Sequence, residues 1–140
     1  MGVHAQHLSM KVLGWYPPLM NKLRTGFLAE QYTAEYLEGK GYTILERNFR
    51  RPWGEIDVIA EKEGIVVFVE VKAGQARSAG FEPELHANRE KMIKVLRTAR
   101  SYLAYRKYKP DQEWQIDLVA IVFNAPAGTA KVTHFKNIEI

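Results

Sequence analysis

Two runs of β-branched residues, Glu55–Ala60 and Ile65–Lys72, are joined by Glu61-Lys62-Glu63-Gly64. Runs rich in Val and Ile, bounded by turn residues, read as strands. Glu63-Gly64 makes a two-residue loop of the Gly-containing kind that hairpins favour. That loop sets a register in which Asp57 opposes Glu70, Glu55 opposes Lys72 and Ile59 opposes Phe68. Side chains alternate along a strand, so the four charged residues share one face. Directly opposed Cβ atoms stand roughly 4.5–5.5 Å apart, and like charges placed so repel. A divalent cation, a shared proton or the nearby lysine has to compensate. Two carboxylates around a cation with open water positions are a common means of hydrolysing phosphodiesters. The same pattern also suits a hairpin with one wet face, Glu55–Lys72 being an ordinary cross-strand ion pair. A different turn would shift every pairing.

The spacing predicts a first helix over about Asn21–Lys40, capped at Asn21 and ended by Gly39 or Gly41. On a helical wheel Leu23, Phe27, Ala34 and Leu37 fall in one stripe with Glu30 in its middle, while Leu28, Tyr32 and Tyr36 form a second. A carboxylate centred on a buried face needs a partner. If the tyrosine stripe faces the core instead, Glu30 is simply wet.

Tyr42–Phe49 reads as a strand, followed by a loop, Arg50-Arg51-Pro52-Trp53. Two arginines beside an exposed aromatic suit phosphate and base contacts, and a Trp packed on a sheet edge is the alternative. Gly74–Glu84 reads as a mobile loop that carries Arg77 and ends near His86. A second helix is expected over Asn88–Tyr108, burying Met92, Val95, Leu96, Ala99 and Leu103. Its other side carries Arg89, Lys91, Lys94, Arg97 and Arg100, a one-signed face that suits a phosphate backbone as well as plain solvent. Trp114–Phe123 and an edge strand, Lys131–Ile138, complete the chain. Helix, three strands, helix, two strands is the order of an α/β domain with a mixed sheet.

The chain has 140 residues, 46% of them hydrophobic, which suits one domain with a proper core. A net charge of +4 permits nucleic-acid binding without demanding it. There is no cysteine, which excludes disulfides, thiolate zinc sites and a cysteine nucleophile, and fits a reducing cytoplasm. No apolar run approaches the roughly 18 residues of a membrane span, so no membrane partner is expected. Residues 1–20 read as an N-terminal extension that can be flexible, broken by Lys11, Gly14 and Pro17-Pro18 rather than built as a signal peptide. Residues 21–140 form the domain. His4 and His7 in the extension carry little weight as metal ligands.

An Asp followed by Glu-x-Lys on a hydrophobic strand resembles the active-site pattern of the PD-(D/E)xK nuclease superfamily. The wider chain is similar to one branch of it, the small bacterial YraN-like family of predicted nucleases. The matching stretches are Gly26–Glu30, Ala34–Leu37, Lys40–Tyr42, Asn48–Arg50, Gly54–Ala60 and Val67–Lys72, with Lys91, Ala99 and Tyr102-Leu103 also in place. Two features depart from the family. Ala73-Gly74 follows Lys72 where a small residue and an arginine are usual, and Gln115-Ile116-Asp117 stands where Arg-Phe-Asp is common.

The resemblance implies a restriction-endonuclease-like three-layer core, a mixed five-stranded sheet flanked by helices. It implies a metal-dependent endonuclease acting on nucleic acid, DNA being favoured, branched or single-stranded. Asp57 and Glu70 would hold Mg²⁺ or Mn²⁺ with the Val71 carbonyl as a further ligand. Lys72 would orient or activate the attacking water. Glu30 matches a helical acid that some branches place beside the metal. Lys91 would contact phosphate or be structural, and Arg50, Arg51, Arg77, Lys94 and Arg97 are the further candidates for nucleic-acid contact. The alternative is a non-catalytic nucleic-acid-binding or interaction module on the same fold, working with other DNA-processing proteins. A homodimer is a further option.

Overall fold

A computed structural model describes residues 5–11, 22–75, 88–124 and 127–140. In chain order its elements are β1 (Ala5–Lys11), α1 (Lys22–Gly39), β2 (Thr43–Arg51), β3 (Gly54–Lys62), β4 (Ile65–Gln75), α2 (Arg89–Tyr105), β5 (Trp114–Asn124) and β6 (Thr129–Phe135). The expected cap Asn21, the loop beyond Gln75 with Arg77 and His86, and His4 lie outside the described residues.

The strands form one α/β sheet in the order β1-β6-β5-β4-β3-β2. Only β4 and β5 run parallel, and α2 lies between them in sequence. A parallel pair needs such a crossover, because a tight hairpin joins only antiparallel strands. The sheet has six strands rather than the expected five. The sixth is β1, which pairs antiparallel with β6 from Ala5↔Phe135 to Lys11↔Thr129. β6 is therefore covered on both sides and is not the edge strand its alternation suggested. An open strand edge is a template for any extended segment, which is how a stretch with little strand signal of its own becomes β1.

Helices cover both faces. Ala29, Tyr36 and Leu37 of α1 pack with Val58, Ala60, Val67, Val69, Val119, Ile121 and Val132. Met92, Val95, Ala99 and Tyr102 of α2 pack with Phe49, Ile59, Val66, Phe68 and Ile116. Alternate residues of β4 thus feed the two cores, which is why its sequence is apolar without a break. The buried face of α1 follows neither expected stripe. It runs through Thr25, Ala29, Thr33, Ala34, Tyr36 and Leu37, taking members of both stripes, while Phe27 is exposed. Small residues let the helix lie close to the sheet, and a wheel weighted by bulky side chains overlooks them. Glu30 falls on the margin of that face, half-buried.

Helix ends follow their sequences. Asn88 caps α2 by accepting the Lys91 N–H at 3.1 Å. Gly41, at φ 91°, closes α1 while the Tyr42 N–H returns to the Leu37 carbonyl at 3.0 Å. α2 stops at Tyr105, short of the expected Tyr108, because Lys107 turns left-handed and the Tyr108 N–H returns to the Leu103 carbonyl.

Candidate active site

Glu63 and Gly64 both have positive φ, 52° and 79°, which makes the primed two-residue turn that matches strand twist. The ladder it sets runs from Lys62↔Ile65 through Ile59↔Phe68 to Val58↔Val69, in the expected register. There it ends. β3 continues against β2 as far as Gly54, and β4 continues against β5 as far as Gln75, so the two strands part company at Asp57. The Val71 N–H is taken by the Asp57 carboxylate at 2.8 Å instead of by a neighbouring backbone. The expected pairing of Glu55 with Lys72 does not form, because the ladder stops before it. Glu55 travels with β2 and meets Arg50 at 3.4 Å.

The fork holds the acids. Asp57 and Glu70 are buried, 8% and 4% exposed. Lys91 of α2 reaches Glu70 Oε1 at 2.6 Å. The other oxygen, Oε2, is buried and has no hydrogen-bond partner among the described residues. Glu30 of α1 stands close enough to Asp57 for the two carboxyls to act on each other's titration. Among the described residues no three His, Asp or Glu side chains are placed to cage a metal ion.

Electrostatics follow from burial. Desolvation, then the charge of Asp57, pushes Glu70 up to about 7 against the pull of Lys91. Desolvation also raises Asp57, although the Val71 N–H and Lys91 favour its ionised form. Glu30 is raised by burial and then by Asp57. Burial works against the Lys91 ammonium, but the hydrogen bond and charge of Glu70 outweigh it and raise its pKa. Among the described contacts, Lys91 is the ammonium that meets the buried carboxylates.

An orphaned, buried carboxylate oxygen beside a second buried carboxylate is what a hard divalent cation requires. Asp57 and Glu70 fit as its ligands. Val71, whose N–H is held by Asp57, places its carbonyl on the same stretch of β4. Lys72, half-buried, shares its β4 face with Glu70 by the alternation of the strand.

Beside the fork lies a cleft of about 340 Å³ lined by Gly54, Glu55, Asn88, Glu90, Lys91, Lys94 and Val95. It adjoins a second, of about 280 Å³, which shares Gly54, Glu55 and Lys94 and adds Arg50, Arg51, Pro52 and Trp53. Of the residues expected to meet nucleic acid, Arg50, Arg51, Lys91 and Lys94 stand together here. Arg97 is exposed on α2 but lines neither cleft. Arg50 and Arg51 belong to the end of β2 rather than to a loop, so the turn is only Pro52-Trp53.

A family model, described as uncharacterised protein family UPF0102, matches residues 29–121. The chain belongs to the UPF0102 family. A UPF0102 protein of Fervidobacterium nodosum is 38% identical over 112 residues, covering 79% of this chain and 78% of its own. One of Persephonella marina is 41% identical over 108 residues, covering 77% and 86%. One of Campylobacter hominis is 32% identical over 121 residues, covering 86% and 98%. The family match spans α1 from Ala29 to β5 at Ile121, and so takes in every residue of the fork.

Sequence reasoning missed one buried cluster altogether. His134 of β6 sits between Asp117 of β5, at 2.7 Å, and the Tyr36 hydroxyl of α1, at 2.9 Å. No spacing in the sequence connects these three residues, because sheet pairing and a helix crossing bring them together.

Proposed function

We propose that this protein is a metal-dependent nuclease with a restriction-endonuclease-like core, hydrolysing phosphodiester bonds of nucleic acid at the β3–β4 fork. The observation that carries the reading is the partnerless, buried Oε2 of Glu70 next to the buried Asp57. Asp57, Glu70 and the Val71 carbonyl would hold Mg²⁺ or Mn²⁺. When bound, that cation supplies Lewis-acid polarisation of the phosphate and acidifies a bound water.

The chain's own groups do the rest. Lys91 holds Glu70 in place through its 2.6 Å contact. Lys91, Lys94 and the two arginines draw the phosphate backbone to the clefts by charge. Lys72, on the face of Glu70, orients the attacking water and offsets charge developing on the phosphoryl oxygens. A water oxygen bonds to phosphorus, one ester P–O bond breaks, and the departing oxygen takes a proton. The resemblance favours DNA as the nucleic acid drawn to these clefts.

The Lys91–Glu70 pair favours one competing reading. An ammonium already in place on Glu70 would suit a non-catalytic nucleic-acid-binding module. Calorimetric titration with Mn²⁺ separates the two. Wild type should bind the ion and Asp57→Ala should not; equal binding by both would sink the metal site. Lys72→Ala should keep the ion yet lose Mn²⁺-dependent cleavage of branched or single-stranded DNA. Unchanged cleavage in that variant would point to a contaminating nuclease.

A further inference from the structure

The β2–β3 turn is unusually well anchored for a surface loop. Its two exposed tip residues are Pro52 and Trp53, between the paired Arg51 and Gly54. At the base of the turn the Arg51 guanidinium lies 4.1 Å over the Phe49 ring and 4.9 Å from the Tyr105 ring. Gly54 lies so close to α2 that a Cβ there would stand 2.6 Å from Thr98 Oγ1 and 3.3 Å from the Lys94 carbonyl. The turn is therefore fixed against both ends of the helix segment Lys94–Tyr105. Trp53, for all that support around it, is 47% exposed.

Trp53 lines the smaller cleft with Arg50, Arg51, Lys94 and Glu55. Through Lys94 and Glu55 that cleft runs into the larger one, whose wall includes Lys91, the partner of Glu70. A path of cations thus leads from the indole to the carboxylate fork. The cleft itself is not a simple anion site. Glu55 stands in it, exposed and only ion-paired to Arg50, and would repel a phosphate seated there. A flat, neutral ring suits the position better, with its flanking phosphates on Lys94 and Arg50.

We propose that Trp53 is a stacking platform for one unpaired nucleobase, next to the phosphate that the fork would cleave. A base inside a duplex already has neighbours on both faces. An unpaired nucleotide is free to lay a face on an exposed indole carried by an anchored turn, and such stacking tolerates any base. The substrate class is accordingly nucleic acid with a single-stranded segment at the site, such as a strand end, flap or junction, rather than continuous duplex. This deepens the nuclease reading and rests on it for what happens to the phosphate; binding to Trp53 itself needs no metal.

The test is binding by the full chain in EDTA, read by anisotropy of a labelled short single strand and of a blunt duplex. Wild type should prefer the single strand. Trp53→Ala should lose roughly ten-fold in affinity for the single strand and little for duplex, and Trp53→Phe should recover most of the loss. Trp53 is exposed, so circular dichroism should show all three proteins equally folded. Equal losses on both nucleic acids, no loss, or no binding of single strand by wild type would overturn the platform. If the Trp53 effect holds while no metal supports cleavage, the nuclease reading falls and the platform stands. If cleavage is metal-dependent but indifferent to Trp53, the platform alone falls.

Discussion

Two of the polar clusters buried among the described residues are built on opposite terms. Under α1, Asp117 and His134 are both 0% exposed. One oxygen of Asp117 accepts from the Asn137 N–H at 2.8 Å and the Gln115 amide at 2.9 Å, and the other meets His134. His134 uses both ring nitrogens, and the Tyr36 hydroxyl beyond it donates to Gln6 at 3.3 Å. At the fork, by contrast, one oxygen of Glu70 has no hydrogen-bond partner among the described residues. Buried polar groups are nearly always partnered, and each exception calls for an explanation. The closed cluster ties β5, β6, α1 and the segment after β6 together. The open one leaves an oxygen for a proton, a water or the proposed cation to complete.

If that contrast is right, removing an acid should have opposite consequences in the two places. The largest effect is expected in the closed cluster. Asp117→Ala strands His134 and the Asn137 N–H without a partner, and breaking a buried pair from one side costs about 3–5 kcal/mol. Urea unfolding should show the loss directly, and a change below about 1 kcal/mol would mean that the cluster is not structural.

The open cluster should respond the other way. With Glu70 raised from its ordinary 4.5 to about 7, the folded state holds its proton more tightly than the unfolded chain does. The contribution of Glu70 is therefore fully present below about pH 4.5 and lost as pH rises through about 7. That loss is on the order of 3 kcal/mol at most, at about 1.4 kcal/mol per unit. Asp57, Glu55 and Lys91 act on Glu70 in the same space, the acids deepening the loss and the lysine limiting it. In metal-free buffer the melting temperature of wild type should fall between pH 6 and pH 8. Glu70→Gln should flatten that fall and be the more stable protein at pH 8. Mn²⁺ should restore wild type at pH 8 and do nothing for Glu70→Gln, since a ligand that binds only the folded state stabilises it. A Glu70→Gln protein less stable than wild type at pH 8 would make the fork a structural ion pair like the other cluster.

The difference also explains what could be read from the sequence. The fork lies on a hairpin, where local turn chemistry dictates the register, so Glu63-Gly64 was enough to place Ile59 against Phe68. What the hairpin could not show was where it would open. The end of the ladder at Val58↔Val69 depends on β2 and β5 pulling β3 and β4 apart, and that moved Glu55 from Lys72 to Arg50. The closed cluster was invisible because its members meet only through β5–β6 pairing and the crossing of α1. β1 escaped notice for a similar reason, since its pairing depends on the available edge of β6 rather than on its own pattern. Lys91 reads from the sequence as one cation of a basic helix face and, by resemblance, as a phosphate-contacting or structural residue, and only the packing of α2 makes it the partner of Glu70.

The smallest effect sharpens the comparison at the wall of the open region. If the fork is kept open by its surroundings, those surroundings must be rigid without help from the acids. Gly54 supplies that rigidity by close packing, since no side chain would fit between β3 and Thr98. Gly54→Ala should cost about 1–2 kcal/mol, the usual scale for forcing a methyl into a filled space. Thr98 is fully buried and its hydroxyl donates to the Lys94 carbonyl at 2.7 Å, so it cannot swing aside freely. Thr98→Ala in the Gly54→Ala background removes the closer of the two clashes and should recover part of the loss, whereas the contact at the Lys94 carbonyl persists. A double-mutant cycle in urea measures that coupling. Additive losses would mean that the turn is not seated on α2 through this contact, and the wall of the cleft would then owe its shape to the Arg51 stack on Phe49 and Tyr105 instead.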